Sequence, residues 1–488
     1  MVALQNSSYF NTRRLLLQKK LSVRELVEHS IALAQEDKLN TFREVTADNA
    51  LKQAELSQQR INNKTAGPLE GLTLAVKDNY CTKGIKTTAS SKMLENFLPS
   101  YESTVTQRLF SSGAVMIGKA NMDEFAMGSS NTNSYFGDVI NPWKQRNNNQ
   151  NLVSGGSSGG SAVAVASKIC YGGLGSDTGG SVRLPAAFTG VVGFKPTYGR
   201  CSRHGIIAFA SSFDQAGIFA HNIMDCSMIL ESICGFDNKD STSKNLKEPN
   251  LVEVLGESIR GLRIGIPKEY LEGEIALDIR ESVQEVCNIL SNAGADVRSI
   301  SLPNTQYALP AYYIIASAEM SSNLARYDGV RYGTRIEEEG ASYNEMLSQT
   351  RSQCFGQEVK NRIMMGTYVL SASHFGDYFD HAKKVRRVIH DEFKEAFKEI
   401  DVMVTPTSKS TAFPISSATD TVGMYDNDIF TIPSSLAGIP ALSIPAGIDH
   451  KGLPIGIQLI ANHFAEDNLC RVAHIIEKAY VAKSTPIL

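Results

Sequence analysis

Two clusters of glycine and serine lie close together in the N-terminal half of the chain. They read Gly-Gly-Ser-Ser-Gly-Gly-Ser at 155–161 and Gly-Ser-Asp-Thr-Gly-Gly-Ser at 175–181, and a small-residue run and a loop at 168–174 join them. Glycine lets a backbone adopt positive φ and approach another group closely, and serine supplies hydroxyls. A pair of flexible turns is the general alternative. The apolar segments on either side favour a built site.

Three known loop chemistries can be compared with these clusters. A phosphate-binding loop needs lysine and then serine or threonine after its second glycine, but serine and alanine follow residues 155–160. A dinucleotide-binding run beginning at Gly173 has threonine where the last glycine belongs. A nucleophile elbow is formally matched at 156–160, although the polar run 144–151 precedes it instead of a strand. The first two chemistries are excluded and the third has weak support.

A serine activated by lysine is the remaining chemistry. A serine hydroxyl attacks only when a base removes its proton, and lysine is a recognised base in this role. Lys77 follows the nearly all-apolar run 71–76, which predicts a buried strand. Burial disfavours the ammonium form and lowers the pKa of a lysine at that position. The alternative is a lysine that extends from the strand end into solvent.

The order of these features resembles the amidase signature family. Lys77, the two clusters and the segment Gly-Val-Val-Gly-Phe-Lys-Pro-Thr-Tyr-Gly-Arg at 190–200 follow one another as they do in that family. The resemblance implies a cis peptide bond before the bridging serine and backbone N–H groups that bind an oxyanion. The implied triad is Lys77 as base, Ser157 as bridging serine and Ser181 as nucleophile, with an oxyanion hole at Thr178, Gly179, Gly180 and Ser181.

The mechanism implied by the resemblance is an acyl transfer. Neutral Lys77 withdraws a proton through Ser157 while Ser181 attacks the carbon of a carboxamide. The proton then returns to the departing nitrogen, and water releases the acid from Ser181. Residues 119–130 resemble the substrate-side loop of the family, in which Met127, Gly128 and Ser129 would line the pocket. A plain helix that carries Asp123 and Glu124 outward is the alternative for that segment.

Segments further along the chain indicate one branch of this family. Residues 311–333, 355–362 and 424–428 resemble the members that hydrolyse glutamine for tRNA-dependent amidotransferases. The resemblance implies that Arg362 binds the α-carboxylate of glutamine, that Asp428 binds its α-ammonium and that Tyr312 helps to close the pocket. Tyr313 is an equally acceptable choice for the last role. A zwitterion needs one fixed cation and one fixed anion, whereas isolated charges are usually on the surface.

The branch implies a particular reaction and particular partners. The chain would hydrolyse glutamine to glutamate and ammonia, and the ammonia would convert Glu-tRNA(Gln) to Gln-tRNA(Gln) in an ATP-dependent reaction. A B subunit would bind ATP, Mg²⁺ and the tRNA, and a small third subunit would complete a heterotrimer. We therefore expect no cofactor or metal in this chain. Alternatives are a stand-alone amidase for a small carboxamide, a Ser-His-Asp hydrolase using Ser158, and a non-enzymatic anion-binding module.

Composition limits the compartment and the partners. The net charge of the 488 residues is −3, so any RNA contact must be local or made by a partner. The 8 cysteines contain no Cys-x-x-Cys pair, which predicts reduced thiols rather than disulfides or zinc. No apolar run is long enough for a membrane span. The start of the chain before Glu25 is basic and has no acidic residue, which is typical of an organelle-targeting segment or, alternatively, of a solvated helix face. We therefore expect a cytoplasmic location if the source is bacterial and the mitochondrial matrix if it is eukaryotic.

These residues require a scaffold of alternating strands and helices. The pattern predicts an α/β fold with one domain over 1–488, in which a mixed sheet is surrounded by helices. An N-terminal helical segment covers about 1–60, with a capping box at 22–25, and the catalytic core covers about 71–215. The chain departs from the family at two points: it has serine at 154 where the family has proline, and its Asn-rich run at 144–151 is longer. Because proline would stiffen the entry to the serine loop, we expect a less rigid loop here. Further strands are predicted at 113–118, 261–266, 296–302, 401–405, 441–444 and 453–460, with a helix near 277–293.

Overall fold

An eleven-stranded mixed sheet runs through the computed structural model, which describes residues 8–418 and 425–480. The strands are β1 (Phe42–Val45), β2 (Thr73–Lys77), β3 (Val115–Ala120), β4 (Gly172–Asp177), β5 (Val192–Lys195), β6 (Gln215–Ala220), β7 (Arg263–Pro267), β8 (Asp296–Ile300), β9 (Val402–Pro406), β10 (Ala441–Ile448) and β11 (Pro454–Ala461). Their spatial order is β1-β3-β2-β4-β6-β5-β10-β11-β9-β7-β8. Strand β2 pairs in parallel with β3 and β4, and β7 with β8 and β9, whereas the strands between these groups pair antiparallel.

Within the described residues, fourteen α-helices pack around this sheet. They are α1 (Tyr9–Leu17), α2 (Val23–Glu36), α3 (Ala47–Asn62), α4 (Thr104–Ser111), α5 (Gly159–Ala166), α6 (Arg183–Thr189), α7 (Ile223–Ile233), α8 (Leu277–Asn292), α9 (Ala308–Leu324), α10 (Tyr343–Cys354), α11 (Gln357–Val369), α12 (His381–Glu399), α13 (Ile432–Ala437) and α14 (Glu466–Tyr480). Short 3₁₀ turns occur at Lys92–Leu94, Glu124–Ala126, Lys268–Tyr270, Pro303–Tyr307, Ile415–Ser417 and Asp426–Asp428, and a π-helical turn at Phe375–Asp380.

Both faces of the sheet are buried. Successive side chains of a strand point to opposite faces, and in β2 Leu74 and Val76 join the largest apolar cluster while Ala75 joins a second one on the other side. In β9, Val404 and Met403 divide in the same way between the largest cluster and a third. Burial on both faces explains the nearly continuous apolar strand sequences. The prediction of a mixed sheet surrounded by helices is confirmed.

The predicted strands and the helix near 277–293 are present, with shifts of up to two residues at most boundaries. Strand β10 is four residues longer than its predicted range 441–444, because it continues past Pro445 with a break in its pairing register. The prediction of a loop at 168–174 is wrong at its end, since Gly172 begins β4. Glycine serves a close contact here: a Cβ on Gly173 would lie 2.7 Å from the carbonyl oxygen of Ser161 in α5.

The N-terminal segment is packed against the body of the protein. The predicted capping box is present, because Ser22 and Glu25 each accept a hydrogen bond from the backbone N–H of the other. The backbone N–H groups of Tyr9 and Phe10 donate to the carboxylate of Asp225 at 2.8 and 3.0 Å. The segment predicted as helical over about 1–60 also contains strand β1. No helix in the described ranges has both the length and the apolar character that crossing a bilayer requires.

Candidate active site

Lys77 is the last residue of β2, and its side chain is completely buried. Its Nζ lies 2.8 Å from Ser157 Oγ and 2.7 Å from Ser158 Oγ. It also lies 3.0 Å from Ser176 Oγ and 3.2 Å from the carbonyl oxygen of Ser176. Strands β2 and β4 are parallel neighbours, so their carboxyl ends meet at the same edge of the sheet. Sheet topology therefore places the lysine between the two glycine- and serine-rich clusters.

Burial gives Lys77 the properties of a base. Loss of hydration lowers its pKa to about 7, although the carboxyl groups of Asp123, Asp177 and Asp214 oppose this change. A lysine with that pKa is substantially neutral at neutral pH and carries a lone pair. The alternative in which Lys77 extends into solvent is wrong, because the strand continues to Lys77 itself and every residue of the strand is buried.

Two adjacent serines contact the lysine, but their hydrogen bonds differ. Ser158 Oγ donates to the carbonyl oxygen of Ser176 at 3.1 Å and accepts from its N–H at 3.3 Å. In the described part of the chain, the Ser157 hydroxyl hydrogen-bonds only to Lys77. The peptide bond between Gly156 and Ser157 is cis, as the family resemblance implies. Ser157 is thus the serine whose proton can move toward Lys77, whereas Ser158 contacts lysine and serine rather than a histidine.

We expect Ser157→Ala to lower turnover of a carboxamide by about 10³-fold, because it removes the hydroxyl through which the proton passes. Ser158→Ala is the matched control, since its hydroxyl lies equally close to Lys77 but already donates to a backbone carbonyl. We expect it to lower turnover by only about tenfold. Steady-state rates of both variants, measured on folded protein, check this order. A larger loss in Ser158→Ala would overturn the assigned triad.

The loop that ends at Ser181 is closely packed against two distant segments. A Cβ on Gly179 would lie 2.7 Å from the ring of Tyr312, and Gly180 has φ +147° and would place a Cβ 2.2 Å from Thr431 Oγ1. Both glycines are therefore required. The hydroxyl of Thr431 donates to the carbonyl oxygen of Gly179 at 2.6 Å. Ser181 itself is 8% exposed, and its carbonyl oxygen accepts from the N–H of Ser158 at 3.2 Å, which joins the two clusters.

The same loop holds backbone donors for an oxyanion. Among the described residues, the N–H groups of Thr178, Gly179 and Gly180 donate no hydrogen bond. Buried N–H groups are nearly always paired, so three neighbouring exceptions beside a candidate nucleophile are suited to a developing negative charge. The hydroxyl of Thr178 donates to Asp214 Oδ1 at 2.7 Å, which holds the start of this loop. The assignment of the oxyanion hole stays a prediction.

A buried ion pair between Asp177 and Arg183, which was not predicted from the sequence, supports the loop. The guanidinium of Arg183 donates to the Asp177 carboxylate at 2.8 and 3.0 Å and to Gln458 Oε1 at 2.7 Å. Burial raises the pKa of Asp177, but the facing guanidinium outweighs it and leaves that pKa below its usual value. Asp177 precedes the loop that ends at Ser181 and Arg183 follows it, so this ion pair joins the two ends of the loop.

The cation that is predicted to bind the substrate carboxylate, Arg362, lies on α11. Arg362 is 4% exposed, and its Nε donates to Glu358 Oε1 at 2.6 Å. Its guanidinium carbon lies 5.1 Å from the ring centre of Tyr313 and 5.5 Å from that of Tyr425. Glu358 occupies the Nε edge, so a carboxylate ligand must bind through the Nη groups. Glu358 and Tyr425 were not predicted; the separation of four residues between Glu358 and Arg362 on one helix could have indicated the former.

The anion that is predicted to bind the substrate ammonium group, Asp428, lies beside the loop that ends at Ser181. Asp428 is 8% exposed, and its Oδ1 has no hydrogen-bond partner among the described residues. A Cβ on Gly180 would lie 2.9 Å from that oxygen. Burial raises the pKa of the Asp428 carboxyl well above its ordinary value. Tyr312 and Asp428 thus lie against Gly179 and Gly180, while the ring of Tyr313 faces the Arg362 guanidinium. Met424, which is part of the predicted motif, lies outside the described residues.

The segment 119–130 is not the plain helix of the alternative interpretation. It forms only the 3₁₀ turn Glu124–Ala126, and both of its carboxyl side chains are buried rather than directed outward. The carbonyl oxygen of Ser129 accepts from the N–H of Gly156 at 2.8 Å, and a Cβ on Gly128 would lie 2.3 Å from the Asp123 carboxyl carbon. Met127 is fully buried among aromatic side chains. Direct contact of these residues with a substrate stays a prediction.

The entry to the serine loop is held without the proline that the family uses. Ser154 is buried, the N–H of Val153 donates to the carbonyl oxygen of Phe413 at 2.9 Å, and Leu152 forms a β-bridge with Pro414. Backbone hydrogen bonds to another segment thus limit the movement of this stretch. Within the described ranges, no group of three or more histidine, cysteine, aspartate or glutamate residues is placed to bind a metal ion.

Comparison with known proteins agrees with this geometry. The model of the amidase family matches residues 25–470. The A subunit of glutamyl-tRNA(Gln) amidotransferase from Bartonella quintana is 52% identical over 451 residues, which cover 92% of this chain and 90% of that protein. The protein of the same name from Wolbachia sp. subsp. Brugia malayi is 50% identical over 466 residues, which cover 95% of this chain and 95% of that protein.

A solved structure extends the similarity to the fold. The A subunit of glutamyl-tRNA(Gln) amidotransferase from Thermotoga maritima superposes with a TM-score of 0.74 at 37% identity, covering 94% of this chain and 95% of that chain. The family match spans the lysine, both clusters and the predicted substrate residues. The chain therefore belongs to the amidase family.

Proposed function

We propose that this chain is the glutamine-hydrolysing subunit of a tRNA-dependent amidotransferase. The observation that carries the proposal is a buried cation, Arg362, and a buried anion, Asp428, at a serine loop that a neutral lysine can activate. The Asp428 oxygen beside Gly180 has no partner among the described residues, and an unpaired buried carboxylate is costly unless a ligand completes it. The α-ammonium group of an amino acid has the required charge. The names of the relatives support the same conclusion.

We propose a reaction that the positions of Lys77, Ser157 and Asp428 support. Glutamine binds with its α-carboxylate on Arg362 and its α-ammonium on Asp428, which directs the carboxamide toward Ser181. Lys77 takes the Ser157 proton as Ser157 takes that of Ser181, and the serine oxygen attacks the amide carbon. The N–H groups of the loop bind the oxyanion. Lys77 returns the proton to the leaving ammonia, and water then hydrolyses the glutamyl ester.

The remaining chemistry is assigned to partners. A B subunit would bind ATP, Mg²⁺ and Glu-tRNA(Gln) and would use the ammonia, and a small third subunit would complete the heterotrimer. The net charge of −3 supports this division, because it gives no general attraction for RNA. This chain would contribute no cofactor site. The bacterial sources of the relatives favour the cytoplasm among the two predicted compartments.

The release of ammonia and glutamate from glutamine tests the proposal. It should be measured with the chain alone and with the partner subunits, ATP and Glu-tRNA(Gln). We expect slow hydrolysis by the chain alone and strong stimulation by the complete mixture. A stand-alone amidase is the second candidate, and brisk hydrolysis of simple aliphatic or aryl amides with no use of glutamine in either setting would favour it. The Arg362 and Asp428 pair counts against that candidate, because a simple amide has neither charge.

Asp428→Asn should raise the KM for glutamine by about 10²-fold, because it removes the charge that binds the α-ammonium group. The raised pKa of this carboxyl adds a pH dependence. Protonated Asp428 binds ammonium weakly, so the wild-type KM should increase as the pH falls, and the KM of the Asn variant should change less. Steady-state kinetics over a pH series check both effects.

A matched comparison uses Asp426→Asn, which neutralises an exposed carboxylate in the same 3₁₀ turn that pairs with Lys409 at 3.1 Å. Its KM should stay within about twofold of wild type, as expected for an exposed ion pair. Equal effects of the two substitutions would contradict the assignment of Asp428.

A further inference from the structure

Asp123 is a buried carboxyl group that the proposed reaction does not use. It follows strand β3 and has no exposed surface. Its two oxygens accept hydrogen bonds from the backbone N–H groups of Asn131 and Asn133 at 3.0 and 3.1 Å. This carboxylate therefore closes the turn at 128–133, which belongs to the predicted substrate side of the site.

The same carboxyl group contacts the serine loop. A Cβ on Gly156 would lie 2.0 Å from Asp123 Oδ2 and 2.8 Å from the backbone nitrogen of Asn131. The backbone N–H of Asp123 donates to the carbonyl oxygen of Ser157 at 3.2 Å, and the N–H of Gly156 donates to the carbonyl oxygen of Ser129. Asp123 thus holds the residues on both sides of the bond between Gly156 and Ser157 against one turn.

We infer that Asp123 is a positioning residue for amide hydrolysis: its carboxyl group fixes the bridging serine loop against the substrate-side turn. This inference rests on the proposed hydrolytic function. Asp123 contacts neither the nucleophile nor the base directly in the hydrogen bonds of the described residues, so it acts through Ser157 and through its charge.

The charges around the pair define what a substitution should do. Three carboxyl groups face Lys77: that of Asp123 in the segment after β3, that of Asp177 at the end of β4 and that of Asp214 in the segment before β6. Asp177 is already paired with Arg183, and Asp214 accepts from the Thr178 hydroxyl and two backbone N–H groups. Asp123 in turn faces Lys77, Arg362 on α11 and Asp428 in its 3₁₀ turn. Burial raises the pKa of Asp123 itself to about 7, so its full negative charge faces Lys77 only above that pH.

Asp123→Asn should lower kcat for glutamine about tenfold at pH 8 and should change KM less, because the bridging serine is less well positioned. Removal of the anion also makes the ammonium form of Lys77 less favourable. The rising limb of kcat against pH, measured at saturating glutamine, should therefore move toward lower pH by about one unit. A residue that only supports the fold would not move this limb.

Glu124→Gln is the matched control. This neighbouring buried carboxyl accepts from the hydroxyl of Ser91 and from the N–H of Gly356 at 2.8 Å, and it is not among the groups that influence Lys77. We expect its pH limb to coincide with that of wild type. An unmoved limb in Asp123→Asn, or the same displacement in Glu124→Gln, would overturn the inference.

The pH dependence of Ser181 labelling by a small fluorophosphonate provides a second readout that needs no glutamine. It should show the same displacement in Asp123→Asn, so a failure of the glutamine proposal and a failure of this inference give different results. Asp123→Ser, whose hydroxyl can still accept one N–H, repeats the test if the Asn variant does not fold. Loss of folding in both would contradict the inference, since it would assign the carboxylate to the stability of the fold.

Discussion

Ser181→Ala is expected to lower glutamine hydrolysis at least about 10³-fold, because it removes the hydroxyl that is assigned to form the acyl intermediate, whereas the Thr178 hydroxyl in the same loop donates to Asp214. Folding should be retained. The Ser181 hydroxyl makes no hydrogen bond among the described residues, and alanine fits where serine does. Ammonia release, thermal unfolding and glutamine binding by calorimetry measure the three properties separately. Binding with an unchanged Kd and no turnover is the expected combination.

Ser161→Ala provides the control for this experiment. Ser161 ends the first cluster as Ser181 ends the second, and its hydroxyl donates to the carbonyl oxygen of Leu174 at 2.9 Å. Its loss should lower the free energy of unfolding by about 1 kcal/mol and leave turnover within a few-fold of wild type. Retained turnover in Ser181→Ala would refute the assigned nucleophile and would be compatible with a binding module.

Lys77→Met should lower turnover about as much as Ser181→Ala. Methionine keeps most of the apolar stem that packs in β2 but cannot accept a proton. In wild type, kcat at saturating glutamine should rise through about pH 7, because the ammonium form of Lys77 loses its proton there. The residual rate of Lys77→Met should not follow that limb. A complete pH–rate profile of both proteins checks the size of the loss and its pH dependence together.

Lys119→Met separates a catalytic lysine from a structural one. Lys119 is also completely buried, and its Nζ donates to the carbonyl oxygen of Tyr80 at 2.6 Å and lies 3.5 Å from Asp78 Oδ1. Its replacement leaves a buried carboxylate without one partner, so the main expected effect is lower stability. The pH limb should stay in place. A Lys77→Met enzyme with wild-type activity would exclude the Ser-Ser-Lys arrangement.

The local sequence pattern is sufficient to predict the burial and the pKa of a residue whose surroundings are determined by its own strand. The apolar run before Lys77 predicts burial and hence a lowered pKa, and the structure contains both. It is not sufficient for β4, where glycines that resemble a loop form a strand. The reason is a tertiary contact. Because these glycines lack side chains, α5 can approach β4, and the strand propensities of the residues do not predict that contact.

Contacts between distant segments are also beyond prediction from spacing. Nothing near Gly180 in the sequence indicates that Thr431 and Asp428 occupy the space where its side chain would be. An outward-facing Asp123 is the ordinary expectation because acidic residues are usually exposed, whereas two backbone N–H groups compensate its burial. Family resemblance supplies the roles of Arg362 and Asp428, and only the folded chain shows that Glu358 fixes the orientation of the former.

The contacts of Arg183 link the order of synthesis to the appearance of activity. This fully buried guanidinium follows Ser181 by two residues, yet it donates to the carbonyl oxygen of Thr431 and the side chains of Ser434 and Gln458. Strand β5 likewise finds its outer neighbour only in β10. A ribosome-bound chain that ends before these segments has every triad residue but no fixed oxyanion loop. We therefore expect hydrolysis to begin only after nearly the whole polypeptide has been made, and nascent chains that end before Thr431 to release no ammonia.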